Sequence, residues 1–238
     1  MNNYNFYSDG NGQQTVVYTQ SVAKVMRSVY LRMFLGLLAT AFTAMFVKSQ
    51  ESLMLAIFEN KIFFWGLIIA EFACVIGISG AINKISTAMA VLLFFVYAII
   101  NGVTLASIFW VFKISTIAQT FFITAGVFGA MSAYGYLTRA DLSKFGAFLF
   151  MALIGLIITS VVNIFFMEES KTLDWVISLV GVGIFIGLTA WDTQKIKMMV
   201  MQSNGYNVGK IATLGALSLY LDFINLFLYL LRIFGSRD

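Results

Sequence analysis

Seven long apolar runs, each bounded by a short polar break, fill the chain from residue 29 onward, at 29–47, 62–82, 86–109, 116–137, 145–167, 173–193 and 211–231. Each is close to the roughly 20 residues that an α-helix needs to cross about 30 Å of hydrocarbon, so the pattern predicts seven membrane-spanning helices. The breaks are turn-like: VKSQESLMLAIFENK after the first run, an INK turn at 82–84, TRADLSK at 138–144 and SNGYN at 203–207. Residues 1–20 (MNNYNFYSDGNGQQTVVYTQ) show no apolar period and are rich in Asn, Gln, Gly and Tyr, which predicts a polar, mobile tail. We therefore divide the chain into a tail, 1–28, and an all-α seven-helix membrane domain, 29–238. The first run is long enough to span and lacks a short basic opening, so it is expected to act as an uncleaved signal-anchor.

Composition agrees with the pattern. Sixty per cent of the 238 residues are apolar, 11% are charged and the mean hydropathy is +0.89, whereas soluble domains are nearer one-quarter charged. Proline is absent, so any helix break must come from glycine or from side chains that compete for the backbone. Histidine is absent as well, which leaves carboxylates to supply any response to pH near neutrality. The single Cys74 lies within the second run and reads as packing; one cysteine excludes an intrachain disulfide and a multi-cysteine metal centre.

Charge asymmetry gives an orientation. With seven spans, Lys24, Arg27, Arg32, Lys84, Arg139, Lys144, Lys195, Lys197 and Lys210 fall on one side, against Lys48, Lys61, Lys113, Lys171, Arg232 and Arg237 on the other. The positive-inside rule then places the N-terminus in the cytoplasm and the C-terminus outside. The net charge of +4 follows from this bias, and no nucleic-acid partner is expected.

Acids inside the spans are the candidate chemistry. Asp192, Asp222 and Glu71 lie in the sixth, seventh and second runs, where a charge is costly and usually marks an ion path, a proton relay or a sensor. In the seventh run Gly215, Ser218, Asp222, Asn225, Tyr229 and Arg232 follow at spacings of three and four, which draws one polar stripe along a helix otherwise made of Leu, Ile and Phe. Such a stripe must face the bundle interior or a water-filled cavity. A hairpin centred near Gly205 puts Asp192 13 residues before it and Asp222 17 after, so their depths differ by only ~6 Å. A shared site follows, in which the two carboxylates hold one proton between them and titrate as a pair, or take a hard divalent cation such as calcium when it leaves. Asp192, with Lys195 and Lys197 after it, also fits a solvated helix end. Glu71 fits either a cavity lining or a structural hydrogen bond.

Other signals read as packing. Gly183 and Gly187, and Ala125, Gly129 and Ala133, are small residues at four-residue intervals that let helices approach. Asn101 and Asn163 suit interhelical hydrogen bonds, while Arg32 and Arg232 sit near span ends and can snorkel. Gly181-Val-Gly183 has no preceding strand and is not a nucleotide fingerprint. No lysine lies within the seventh span to hold retinal, and neither Trp191-Asp192 nor Leu221-Asp222 supplies the Gly-x-Gly-Asp type sequence of an intramembrane aspartyl protease. We expect neither an enzyme nor a resident cofactor.

Three segments carry a resemblance: Ala216-Leu-Ser-Leu-Tyr-Leu-Asp222-Phe-Ile-Asn225-Leu-Phe, Trp191-Asp192-Thr193-Gln194-Lys195-Ile196, and Ala140-Asp-Leu-Ser-Lys-Phe-Gly146. Together they resemble the Bax inhibitor family, in its bacterial form, over nearly all the chain beyond the tail. The resemblance implies a seven-helix bundle with a central seventh helix, in a bacterial inner membrane. It also implies an acid-sensitive calcium leak, with Asp192 and Asp222 hydrogen-bonded to each other as pH sensor. Glu71 matches a second-span acid of bacterial members and would line the path, with Ser218 and Asn225 as support beside the pair. Some members carry an arginine about three turns after that acid as a latch; here the position reads Ile82, followed by Asn83 and Lys84. The resemblance implies one further role, as a partner of a membrane-anchored AAA protease, to which residues 1–20 would be presented.

Overall fold

The computed structural model of the chain describes residues 13–166, 171–203, 205 and 207–235. They form α1 (Gln13–Ser49), α2 (Glu51–Glu59), α3 (Lys61–Ala81), α4 (Thr87–Leu105), α5 (Ile108–Val111), α6 (Ile114–Leu137), α7 (Ser143–Phe166), α8 (Lys171–Gln202) and α9 (Val208–Phe234), with no strand among the described residues. Seven stretches of these are long and apolar enough to cross a membrane: 22–49, 61–81, 87–111, 114–137, 143–163, 172–202 and 208–234.

The start of the first helix departs from the expected tail. It begins at Gln13, so 13–28 are helical and only 1–12 of that segment lie outside the described residues. The reason is local: Val22, Met26, Val29 and Met33 recur at helical spacing and all are buried in the core, which draws the helix well past the apolar run. Chain turns follow from side-chain caps. Asn60 accepts from the Ile62 and Phe63 N–H groups to start α3, and Ser86 from Met89 N–H to start α4.

Two elements within the breaks and runs are new. The polar break 47–61 holds α2, which buries Met54 and Ile57 against Val47 and Ala106. The third span is broken after Leu105, where the Ala106 and Ser107 N–H groups turn back to Val103 and Thr104 carbonyls and the Ser107 hydroxyl donates to Thr104 O at 2.9 Å. A serine side chain competing for the backbone thus makes the break in a chain without proline.

α9 is the most buried of the spans and α3 the least. α9 packs against α8, α1, α6, α4 and α3, while α7 packs chiefly on α8. The α8–α9 hairpin closes through Gly205 (φ 82°) and Asn207 (φ 56°), a left-handed pair of positions that suits glycine and asparagine. Close approach uses other glycines than the spacing suggested. A Cβ on Gly135 would stand 2.1 Å from the Ala190 carbonyl oxygen, whereas Gly129 and Gly183 face open space and Gly187 meets Leu149. Ala125 and Ala133 are likewise on the outer surface of α6.

Candidate functional site

The stripe of α9 faces α8. Gly215 lies against Ile196, and the Tyr229 ring lies against Gly181 and stacks on Phe185 at 5.9 Å. Between these two contacts stands Asp222, 4% exposed, whose Oδ2 is buried without a hydrogen-bond partner. α8 continues to Gln202, ten residues beyond Asp192, so Asp192 lies inside a helix rather than at its end, and its side chain is 14% exposed. Asp192 and Asp222 are thus carried on packed helices, both with little exposure, and Lys195 stands half-exposed at the rim beside Asp192.

That rim is tightly built. Lys195 Nζ lies 4.0 Å from Asp192 Oδ1 and 4.6 Å from the centre of the Trp191 ring. The Trp191 ring also rests on Gly146, where a Cβ would stand 2.1 Å from it. Gln194 Oε1 accepts from the Leu142 N–H at 2.9 Å and its Nε2 donates to Ala140 O at 2.7 Å. The segments 140–146 and 191–196 thus hold each other. In the loop, Ser143 donates to Asp141, and these bonds with the nearby Lys144 keep the Asp141 carboxyl below the usual carboxylate range.

The remaining predicted residues are placed elsewhere. Asn225 donates to the Leu221 carbonyl of its own helix at 2.8 Å, the usual recourse of a short polar side chain in a helix, and so does not bond Asp222. Ser218 is half-buried one turn before Asp222. Glu71 joins a separate cluster: its Oε1 accepts from the Thr104 hydroxyl at 2.6 Å, and Asn101 faces the same carboxylate. Asn101 Oδ1 in turn accepts from Tyr220 at 3.0 Å, and the Tyr220 hydroxyl meets Thr40 Oγ1 at 2.6 Å. Thr40 also bonds the Ala98 carbonyl at 2.8 Å. This network joins α1, α3, α4 and α9; Glu71 is its only carboxylate, and Thr40, Thr104 and Tyr220 give no sequence signal of their own.

Asn163 makes the interhelical bond expected of it, donating to Asp174 on α8 at 2.7 Å. Arg32 does not snorkel. Its Nη1 donates to Gly209 O at 2.7 Å and Thr213 Oγ1 at 2.6 Å, pinning the first turns of α9 to α1. Ile82, where a latch arginine would stand, is buried in the core. Cys74 is partly buried against the core. Among the described residues no group of three acids, cysteines or histidines is placed to hold a metal ion.

A bundle of seven helices long and apolar enough to cross a membrane defines an integral membrane protein. Residues 22–238 match the family described as inhibitor of apoptosis-promoting Bax1, and the chain belongs to that family. It is 51% identical over 215 residues to the inner membrane protein YbhL of Escherichia coli, covering 89% of this chain and 91% of that one. It is also 45% identical to a protein of Borreliella burgdorferi (90% and 92% covered) and 38% identical to a membrane protein of Streptococcus pyogenes (94% and 98% covered).

Proposed function

We propose that this protein is a pH-sensitive cation leak, with calcium the favoured ion, gated by the Asp192 and Asp222 pair. The observation that carries the proposal is the buried, unpartnered Oδ2 of Asp222 in the middle of a span that packs on the helix of Asp192. A buried acceptor without a partner costs roughly 1–3 kcal/mol and more when charged, so it calls for a proton or a cation. Two carboxylates side by side out of water do not both ionise cheaply, so one proton is shared between them. In the shared-proton state the α8–α9 seam stays closed. When the proton leaves, the two like charges repel, and the helices separate or admit a hard cation between the oxygens.

pH biases α9 between two packings only as far as those packings differ in proton affinity. Glu71 lines the path. The pair is a transient ligand set for a passing ion and needs no resident cofactor, and no reaction is catalysed. In the orientation we propose, the N-terminus is cytoplasmic and the Lys195 rim faces the cytoplasm, in the inner membrane of a bacterium.

The test is calcium flux into dye-loaded liposomes between pH 5 and 8, for the parent and Asp222→Asn. The proposal expects flux that varies with pH in the parent and is flat in the variant. A variant whose flux follows pH as the parent's does removes Asp222 as the sensor. Properly inserted parent protein that conducts at no pH overturns the leak, and directs attention to the protease-partner role with its 1–20 segment.

A further inference from the structure

Lys195 has an address more specific than a surface lysine needs. Its ammonium is held over the Trp191 ring, that ring rests against Gly146, and the preceding residue, Gln194, is clamped by two hydrogen bonds to the 140–142 loop. A cation over an indole face is attracted by the ring itself, so this location is favoured even before Asp192 is considered. The clamp fixes the backbone and the ring fixes the head group.

The distance to the acid is informative. At 4.0 Å, Lys195 Nζ is too far from Asp192 Oδ1 for a hydrogen bond, yet close enough for its charge to act on that carboxylate. It contributes charge without using up the oxygens' coordination sites.

Four other charged or titratable groups near this end of the bundle are engaged elsewhere. Lys197 donates to the Tyr136 carbonyl on α6 at 2.8 Å, and Arg32 on α1 is bonded at the start of α9. Tyr30 on α1 pairs with Ser132 of α6, and Asp141 interacts with Ser143 and Lys144 in the loop before α7.

We propose that Lys195 is a tethered competitor for the Asp192 and Asp222 site: a fixed positive charge at the rim that weakens the hold of the carboxylates on any entering cation. It therefore determines which ions the site takes and at what concentration. This rests on the cation-path reading of the pair. For a leak the arrangement has a clear physical sense, because two bare carboxylates in a low-dielectric seam would trap a divalent ion rather than pass it. The lysine lowers the depth of that trap. A purely structural lysine, by contrast, would snorkel to the rim and leave ion affinity alone.

Coulomb energy scales with the charge of the ion, so the signature is a valence rule. Replacing the charge by an apolar chain of similar length, Lys195→Met, should tighten half-saturation by calcium about tenfold and by potassium only about threefold, the square root of the divalent effect. Lys195→Arg should stay within about twofold of the parent for both ions. The measurement is binding at fixed pH to the purified full-length protein: terbium luminescence sensitised by Trp191 and displaced by calcium or by potassium, beside flux in liposomes.

Equal factors for the two ions, or no change in Lys195→Met, overturn the inference. A Lys195→Arg variant that departs from the parent as Lys195→Met does overturns it too. A parent that binds by this rule but passes no calcium leaves Lys195 in this role and removes the leak. A parent that conducts while Lys195→Met binds as the parent does removes Lys195 alone. A parent that neither binds nor conducts overturns both.

Discussion

Tyr220 and Asp222 stand two residues apart on α9 and meet opposite surroundings. Tyr220 turns to α1 and α4, where its hydroxyl meets Thr40 and donates to Asn101, and its ring packs edge-on to Phe94 and Tyr97 at 5.7 and 5.6 Å. Asp222, on a helix that packs against α8, has one oxygen buried and unpartnered. Both are polar groups in an apolar bundle, yet one is a closed account of donors and acceptors and the other is open. A satisfied network fixes one arrangement of helices, whereas an unsatisfied acceptor leaves a place for a proton or an ion. The same helix thus carries an anchor on one face and, on the reading proposed here, a sensor on the other.

The largest expected effect breaks the open side. Asp222→Asn removes the ionisable oxygen and should abolish the change of flux between pH 5 and 8, with little shift in the unfolding midpoint, as followed by scanning fluorimetry of the same preparation. Next comes a change that opens the closed side. A Cβ on Gly102 would lie 2.6 Å from the Thr40 carbonyl oxygen and 2.7 Å from Thr43 Cβ, so Gly102→Ala forces α1 away from α4 at the residue that bonds Tyr220. We expect a loss of about 3 kcal/mol in denaturant unfolding, the upper part of the overpacking range. Gly183→Ala, with nothing within 4 Å, is the matched control and should change stability by less than about 0.5 kcal/mol.

Tyr220→Phe sharpens the comparison more gently. It keeps the ring contacts and deletes the hydroxyl, leaving Asn101 Oδ1 without its donor while Thr40 retains the Ala98 carbonyl. The expected cost is about 1–2 kcal/mol in unfolding, independent of pH, with the flux profile keeping its midpoint. A shifted midpoint would mean that the two faces of α9 are coupled and that the anchor is part of the sensor.

The seven spans were legible because lipid leaves the backbone few choices: a run of about 20 apolar residues without charge folds as a helix or not at all. Asp192 and Asp222 could be brought together on paper because one short hairpin, with Gly205 and Asn207 at its tip, fixes their relative depth. What escaped the sequence depends on contacts between distant segments. Nothing local says that Trp191 rests on Gly146, that Gln194 clamps the 140–142 loop, or that Arg32 reaches the start of α9. α2 was hidden because Met54 and Ile57 are too few to show a period in a polar break. Asn225 sits on the predicted stripe, but the helix's own Leu221 carbonyl competes for its amide, and spacing alone does not report that competition.

The smallest expected effect concerns an acid that shares the chemistry of Asp222 and none of its burial. Asp141 is fully exposed in the loop before α7, and its carboxyl is held low by the Ser143 hydroxyl and N–H and by Lys144. A carboxyl with a depressed folded-state value contributes stability above its unfolded value and loses it as pH falls through the folded one. Asp141→Ala should therefore lower the unfolding midpoint slightly at neutral pH, by less than any structural variant above. The difference from the parent should vanish once the medium is acidic enough to protonate the parent's Asp141. Flux should keep its pH profile throughout, because this acid caps a loop and faces no second carboxylate. If Asp141→Ala instead moved the flux profile, the clamp between 140–142 and Gln194 would be transmitting loop order to Asp192, and the sensor would extend from the seam to the rim.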